Sequence, residues 1–177
     1  MSEGLAILLT QTERQMSKQR TFLRDVIIPT LPELFPTEES RAYAMKNPHI
    51  YNVEHLVEIC LAKVGGYEFV DAEGYDFTDY SDSKTTSINE KTLVLTIGSV
   101  ETKIGSLRIC AYNPIADRID FFYMTQRQLR ATEVACWGKN SHKTRILARW
   151  SAGRDNYNSF EKFRVDSFET LAKKGTL

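Results

Sequence analysis

The chain has 177 residues, 23 acidic against 23 basic side chains and 42% hydrophobic content, a balance that fits one soluble domain with a core of its own. No apolar run approaches the roughly 18 residues of a membrane-spanning helix, and Cys60, Cys110 and Cys136 are odd in number and far apart, which excludes a disulfide scaffold or a zinc ribbon. The opening residues put no basic segment ahead of a short apolar run, so the expectation is an intracellular, cytoplasmic protein.

In "TERQMSKQRTFLRDVII", Met16, Leu23, Val26 and Ile27 fall near one face and predict an N-terminal helix, which Pro29, Pro32 and Pro36 break into turns. A second helix is expected in "VEHLVEICLAKV". Val53, Leu56, Val57, Cys60, Leu61 and Val64 keep the spacing of a buried stripe, Asn52 suits the N-cap, and Gly65-Gly66 ends it. At about 100° per residue, Glu54 falls at the rim of that stripe and Glu58 further toward solvent. Glu54 is therefore the glutamate expected to reach a cleft beside the core.

After the glycines the period shortens. "YEFVD" predicts a strand and "AEG" a turn, and "YDF" leads through "TDYSD" into "SKTTSI". The β-branched "TLVLTI" follows, and "SLRICAYN" and "RIDFFYM" make a hairpin around "PIAD". "TQRQLRATEVACW" reads as a helix and "TRILARW" as a strand; the plain alternative to a binding role for that strand makes Ile146, Leu147 and Trp150 core residues whose alternate Arg neighbours face water. In the closing "NSFEKFRVDSFETLAKK", Asn158 and Glu161 have capping-box spacing, and Phe160, Phe163, Phe168 and Leu171 form an apolar face. This order predicts a single α/β (α+β) domain with a central mixed β-sheet flanked by helices. Within it, residues 1–50 form a helical N-terminal region, 51–124 the core and 125–177 a basic C-terminal part.

The charges are unevenly spread. Residues 51–100 hold 3 Lys or Arg against 9 Asp or Glu, residues 101–150 hold 9 against 4, and Val134–Arg154 holds five basic residues and no acid. An acidic middle beside a basic segment suits a cation site next to an anion-binding surface; the plain alternative is two halves that attract each other or face solvent.

The acidic middle centres on "YDFTDYSDSKTTSIN". On an extended strand Asp82 and Lys84 project together, and Asp76 can meet Asp82 across the turn. Converging carboxylates repel unless a cation or proton lies between them, and Mg²⁺ accepts one or two protein carboxylates plus water and phosphate oxygens. A lysine beside such a pair can orient or deprotonate a water, or neutralise charge on a phosphate. The plain alternative is a solvated polar turn.

The combination of Asp76, the Asp82-Ser83-Lys84 triplet and the upstream helical Glu54 resembles the PD-(D/E)XK nuclease superfamily, over about Val53 to Met124. Tyr75 stands where that motif has its proline, the six-residue step from Asp76 to Asp82 is short for the family, and Asp71 and Asp79 are alternatives for the first acid. The resemblance implies a restriction-endonuclease-like fold and Mg²⁺-dependent hydrolysis of phosphodiesters, with Mn²⁺ as a possible substitute. It assigns Asp76 and Asp82 to the metal, Lys84 to the water or phosphate, and Glu54 to a supporting role. Cutting both strands of duplex DNA would call for a homodimer.

In "WGKNSHKTRILARWSAGR", Lys139, Lys143 and Arg145 can neutralise DNA phosphates, and Asn140, Ser141 and His142 can bond phosphate or base edges. Other readings are a non-catalytic nucleic-acid-binding or protein-interaction domain, and the same metal chemistry on RNA or nucleotides.

Overall fold

The hairpin "LRICAYN"–"RIDFFYM" forms the centre of the sheet, because its side chains serve two cores at once. In the computed structural model, which describes residues 3–98, 100–135 and 145–175, these segments are β5 (Leu107–Asn113) and β6 (Arg118–Met124), paired antiparallel from Leu107↔Met124 to Asn113↔Arg118. All seven residues of β5 are buried. Successive side chains point to opposite faces: Cys110 and Tyr112 enter one core, and Leu107, Ile109 and Ala111 the other.

The first core is covered by helices. α1 (Glu3–Phe22) runs through a wider turn over Leu23–Ile27 into the short α2 (Ile28–Thr30), and α3 (Glu38–Lys46) follows. α4 (Val53–Gly65) is capped as expected: the Asn52 side chain accepts from the His55 amide at 3.2 Å, and Gly66 closes the helix at φ +79°. Val57, Cys60 and Leu61 of α4 are fully buried against Leu23, Val26 and Ile27. Burying such side chains contributes about 1.5–3 kcal/mol each for the larger ones. Burial also pushes the Cys60 thiol up to about 12, so it serves as an inert core residue.

The acidic region lies between α4 and the sheet. β1 (Phe69–Ala72) and β2 (Tyr75–Phe77) form a small antiparallel hairpin, and β3 (Asp82–Ser87) joins the main sheet parallel to β5, with Asp82 beside Leu107 and Lys84 beside Ile109. The sheet runs β3-β5-β6-β8, with β8 (Arg164–Val165) antiparallel to β6. A separate antiparallel pair, β4 (Val94–Gly98) with β7 (Arg145–Arg149), covers the second core. α5 (Gln126–Ala135) follows β6 and α6 (Phe168–Lys173) ends the chain's described part. The fold is thus α+β, with a four-stranded mixed sheet, two small strand pairs and six helices among the described residues. None of these helices is long and apolar enough to cross a membrane.

Two expectations are corrected. "NSFEKFRVDSFETLAKK" is not one helix. Asn158 stands at φ +58°, which rules out a capping role in a continuous helix. A tight helical stretch ends at Phe163, Arg164–Val165 pair with Phe121 and Phe122, and α6 starts at Ser167, whose hydroxyl accepts from the Thr170 amide at 3.0 Å. In β7 only Ile146 and Ala148 turn inward. Leu147 is half exposed beside Arg145 and Arg149, because a period of two puts it on their face.

Candidate functional site

Asp76 and Asp82 come together because one amide holds both. The Ser83 N–H donates to Asp82 Oδ1 at 2.9 Å and to Asp76 Oδ2 at 3.0 Å, and the Ser83 hydroxyl reaches Asp76 Oδ2 at 3.3 Å. The two side chains lie within hydrogen-bond reach of each other. Burial, followed by the hydrogen bond and like charge of Asp82, pushes Asp76 up to about 7. The Ser83 bond opposes that rise. Such a pair carries a proton, or takes up a cation, near neutral pH.

The turn that sets this spacing is built on a buried arginine. Asp79 Oδ1 accepts from the Ser81 amide at 3.0 Å and from its hydroxyl, and Tyr80 takes the left-handed conformation at φ +65°. Arg108, fully buried on β5, donates to Ser81 Oγ, to Asp79 at 3.2 Å and to the Leu171 and Lys174 carbonyls at 3.1 and 2.6 Å. Its guanidinium lies 4.5 Å from the Tyr67 ring centre. Asp79 is therefore committed to the turn, which leaves Asp76 as the partner of Asp82. Asp71 lies nearby as a further negative neighbour of Glu58.

Lys84 is exposed and stands two residues along β3 from Asp82, on the same side of the strand. Glu54 does not join the pair. It is exposed in the first turn of α4, on a cavity of about 230 Å³ that Gln15, Lys18, Gln19 and Asn52 also line. Burial lowers the Lys18 pKa, Glu54 opposes this and Lys84 adds to it. Glu58 is the half-buried glutamate. Burial raises its pKa, His55 at 3.3 Å lowers it, and Asp71 and Asp82 raise it again. The expected exposure of the two glutamates is thus reversed. Both lie near one stripe of α4, but the acidic hairpin docks one turn later, about 6 Å along the axis.

Lys103, not among the expected site residues, donates its ammonium to Asp82 Oδ2. The two side chains are 16% and 8% exposed. The pairing spans 21 residues, and no local pattern announces it. Among the described residues no group of three or more His, Cys, Asp or Glu could hold a metal ion unaided. The donor set nevertheless suits a hard cation: two carboxylates in contact, one of them already carrying a positive group. A Mg²⁺ held there would have these two protein ligands and fill its shell with water or phosphate oxygens, as that ion commonly does.

No protein-family model, curated protein or solved structure matches the chain. The site therefore stands on its own geometry.

Of the residues expected to bind DNA, Arg145 is exposed at the start of β7. Lys139, Asn140, Ser141, His142 and Lys143 lie outside the described residues. A larger cavity of about 480 Å³ on the β6–β8 side is lined by Arg118, Asp120, Glu161 and Arg164. These side chains neutralise one another: Asp120 accepts from Arg118 at 2.7 Å and Arg164 at 3.1 Å, and Arg164 reaches Glu161 at 3.2 Å. With Arg118, Asp120, Glu161 and Arg164 engaged with one another, this cavity is a weaker candidate than the acidic pair.

Proposed function

We propose that the chain is a Mg²⁺-dependent endonuclease that hydrolyses phosphodiester bonds of double-stranded DNA, with a restriction-endonuclease-like core. The observation that carries this reading is the contact between Asp76 and Asp82 at the start of a strand that presents Lys84 two residues on. Asp76 and Asp82 would hold the ion, and a bound Mg²⁺ would supply Lewis-acid stabilisation of the phosphate and a more acidic water. Mn²⁺, with similar oxygen preference, would serve in its place. Lys84 would neutralise charge gathering on the phosphate or orient the water. Glu58, rather than Glu54, is the helical carboxylate whose charge acts on Asp76 and Asp82, and it would support a water at this site. Arg145 would hold backbone phosphate, and action on both strands would use two copies of the chain.

The ion pair of Asp82 with Lys103 favours a second reading. It satisfies the carboxylate within the protein, as expected of a non-catalytic nucleic-acid-binding or protein-interaction domain. One assay separates the two. Plasmid DNA is incubated with the protein in Mg²⁺ or Mn²⁺, and with EDTA, beside the Asp82→Ala variant. The nuclease reading expects metal-dependent cutting that Asp82→Ala abolishes while DNA binding persists. Equal cutting by the variant, or binding that weakens with salt and never cuts, would remove it. Single-stranded DNA and RNA in the same assay identify the polymer.

A further inference from the structure

The geometry points to Lys103 as the resident counter-ion of the acidic pair, which a divalent cation must displace to reach Asp82. This rests on the metal-dependent reading of that pair. Asp82 commits Oδ1 to the Ser83 amide and Oδ2 to the Lys103 ammonium, so neither oxygen is idle. Both side chains are largely shielded from water, and the attraction between them is correspondingly less screened than at the surface. A metal ion and the Lys103 ammonium on one carboxylate oxygen would be like charges a few ångströms apart in a poorly screened site, so arrival of the ion favours departure of the ammonium.

The backbone around Lys103 is fixed from both sides, so a move of its side chain need not move the chain. The Lys103 amide donates to Val100 O at 3.2 Å, and its carbonyl accepts from Arg130 of α5 at 2.8 Å. The next amide, Ile104, donates to Gly74 O at 3.2 Å in the β1–β2 turn. The main chain is thus tied to the helix on one side and to the acidic hairpin on the other. The four-carbon lysine stem can swing out without moving either. Metal entry is then an exchange of one positive charge for another. The apparent metal affinity is set by Lys103 as well as by the ligands.

The test is Mn²⁺ binding to the full chain at pH 8, followed by calorimetry, for the wild type and Lys103→Met. The expected result is about tenfold tighter binding by Lys103→Met, from loss of a competing unit charge at ligand distance. Unchanged or weaker binding by the folded variant overturns the inference. Should Lys103→Met fail to fold, the wild type gives a second readout. Its lysines are reductively ¹³C-methylated, and the Lys103 signal, assigned by its absence in Lys103→Arg, should move toward the exposed-lysine position as Mg²⁺ is added. A signal that stays in place overturns it too. Absence of Mn²⁺ binding in wild type and variant alike overturns the inference together with the metal-dependent reading. Tighter binding by Lys103→Met without DNA cleavage by the wild type upholds it and removes only the nuclease reading.

Discussion

Replacing Arg108 with methionine tests whether the acidic turn is held from inside the protein. Arg108 is fully buried, and its guanidinium bonds Ser81 Oγ, Asp79 and the Leu171 and Lys174 carbonyls while lying over Tyr67. Methionine fills much of the stem's volume but donates no hydrogen bond. Each bond to a charged group is worth roughly 1.5–3 kcal/mol, and the ring contact about 0.5–2 kcal/mol. These losses do not add, since the groups form one network and Asp79, 27% exposed, regains water. Breaking one side of a buried ion pair costs about 3–5 kcal/mol, and we expect a loss in that range. Urea unfolding at pH 7 measures it, and Arg108→Lys should recover only part, because one ammonium cannot span the fork's partners. A loss under about 1 kcal/mol, the ordinary effect of a substitution, would refute the idea that Arg108 anchors the turn.

Asp76 makes stability depend on pH in a defined direction. Its carboxyl is raised to about 7 in the folded chain, so between the ordinary carboxylate range and pH 7 the folded state binds more protons than the unfolded state. Stability from this group is full at the acid end and falls as pH rises through about 7. In EDTA, Asp76→Asn should flatten the fall in urea midpoint between pH 5 and pH 8; an equally steep fall in the variant would show that other groups cause it. Gly105→Ala should destabilise by about 1–3 kcal/mol, because the added carbon would collide with the Tyr80 carbonyl oxygen. Gly153→Ala, with nothing within 4 Å of the new carbon, is its control, and equal thermal shifts for the two would contradict the close approach.

Local chemistry made several elements legible from the sequence. The stripe from Val53 to Val64, with its asparagine cap and closing glycines, specified α4, and two runs of β-branched and aromatic residues around a tight turn specified β5 and β6. The approach of Asp76 to Asp82 was legible too, because the turn between them is short and rich in turn formers. Tertiary structure decided what local pattern leaves open. Glu54 and Glu58 share a stripe, and only the docking height of the hairpin selects Glu58. Arg164 and Val165 look helical until β6 offers them a strand partner. Lys103 and Arg108 carry no motif, since a long-range ion pair depends on which chain segments fold against each other. Period and capping act over one or two turns of chain, whereas burial and charge pairing are set by neighbours that only the folded protein supplies.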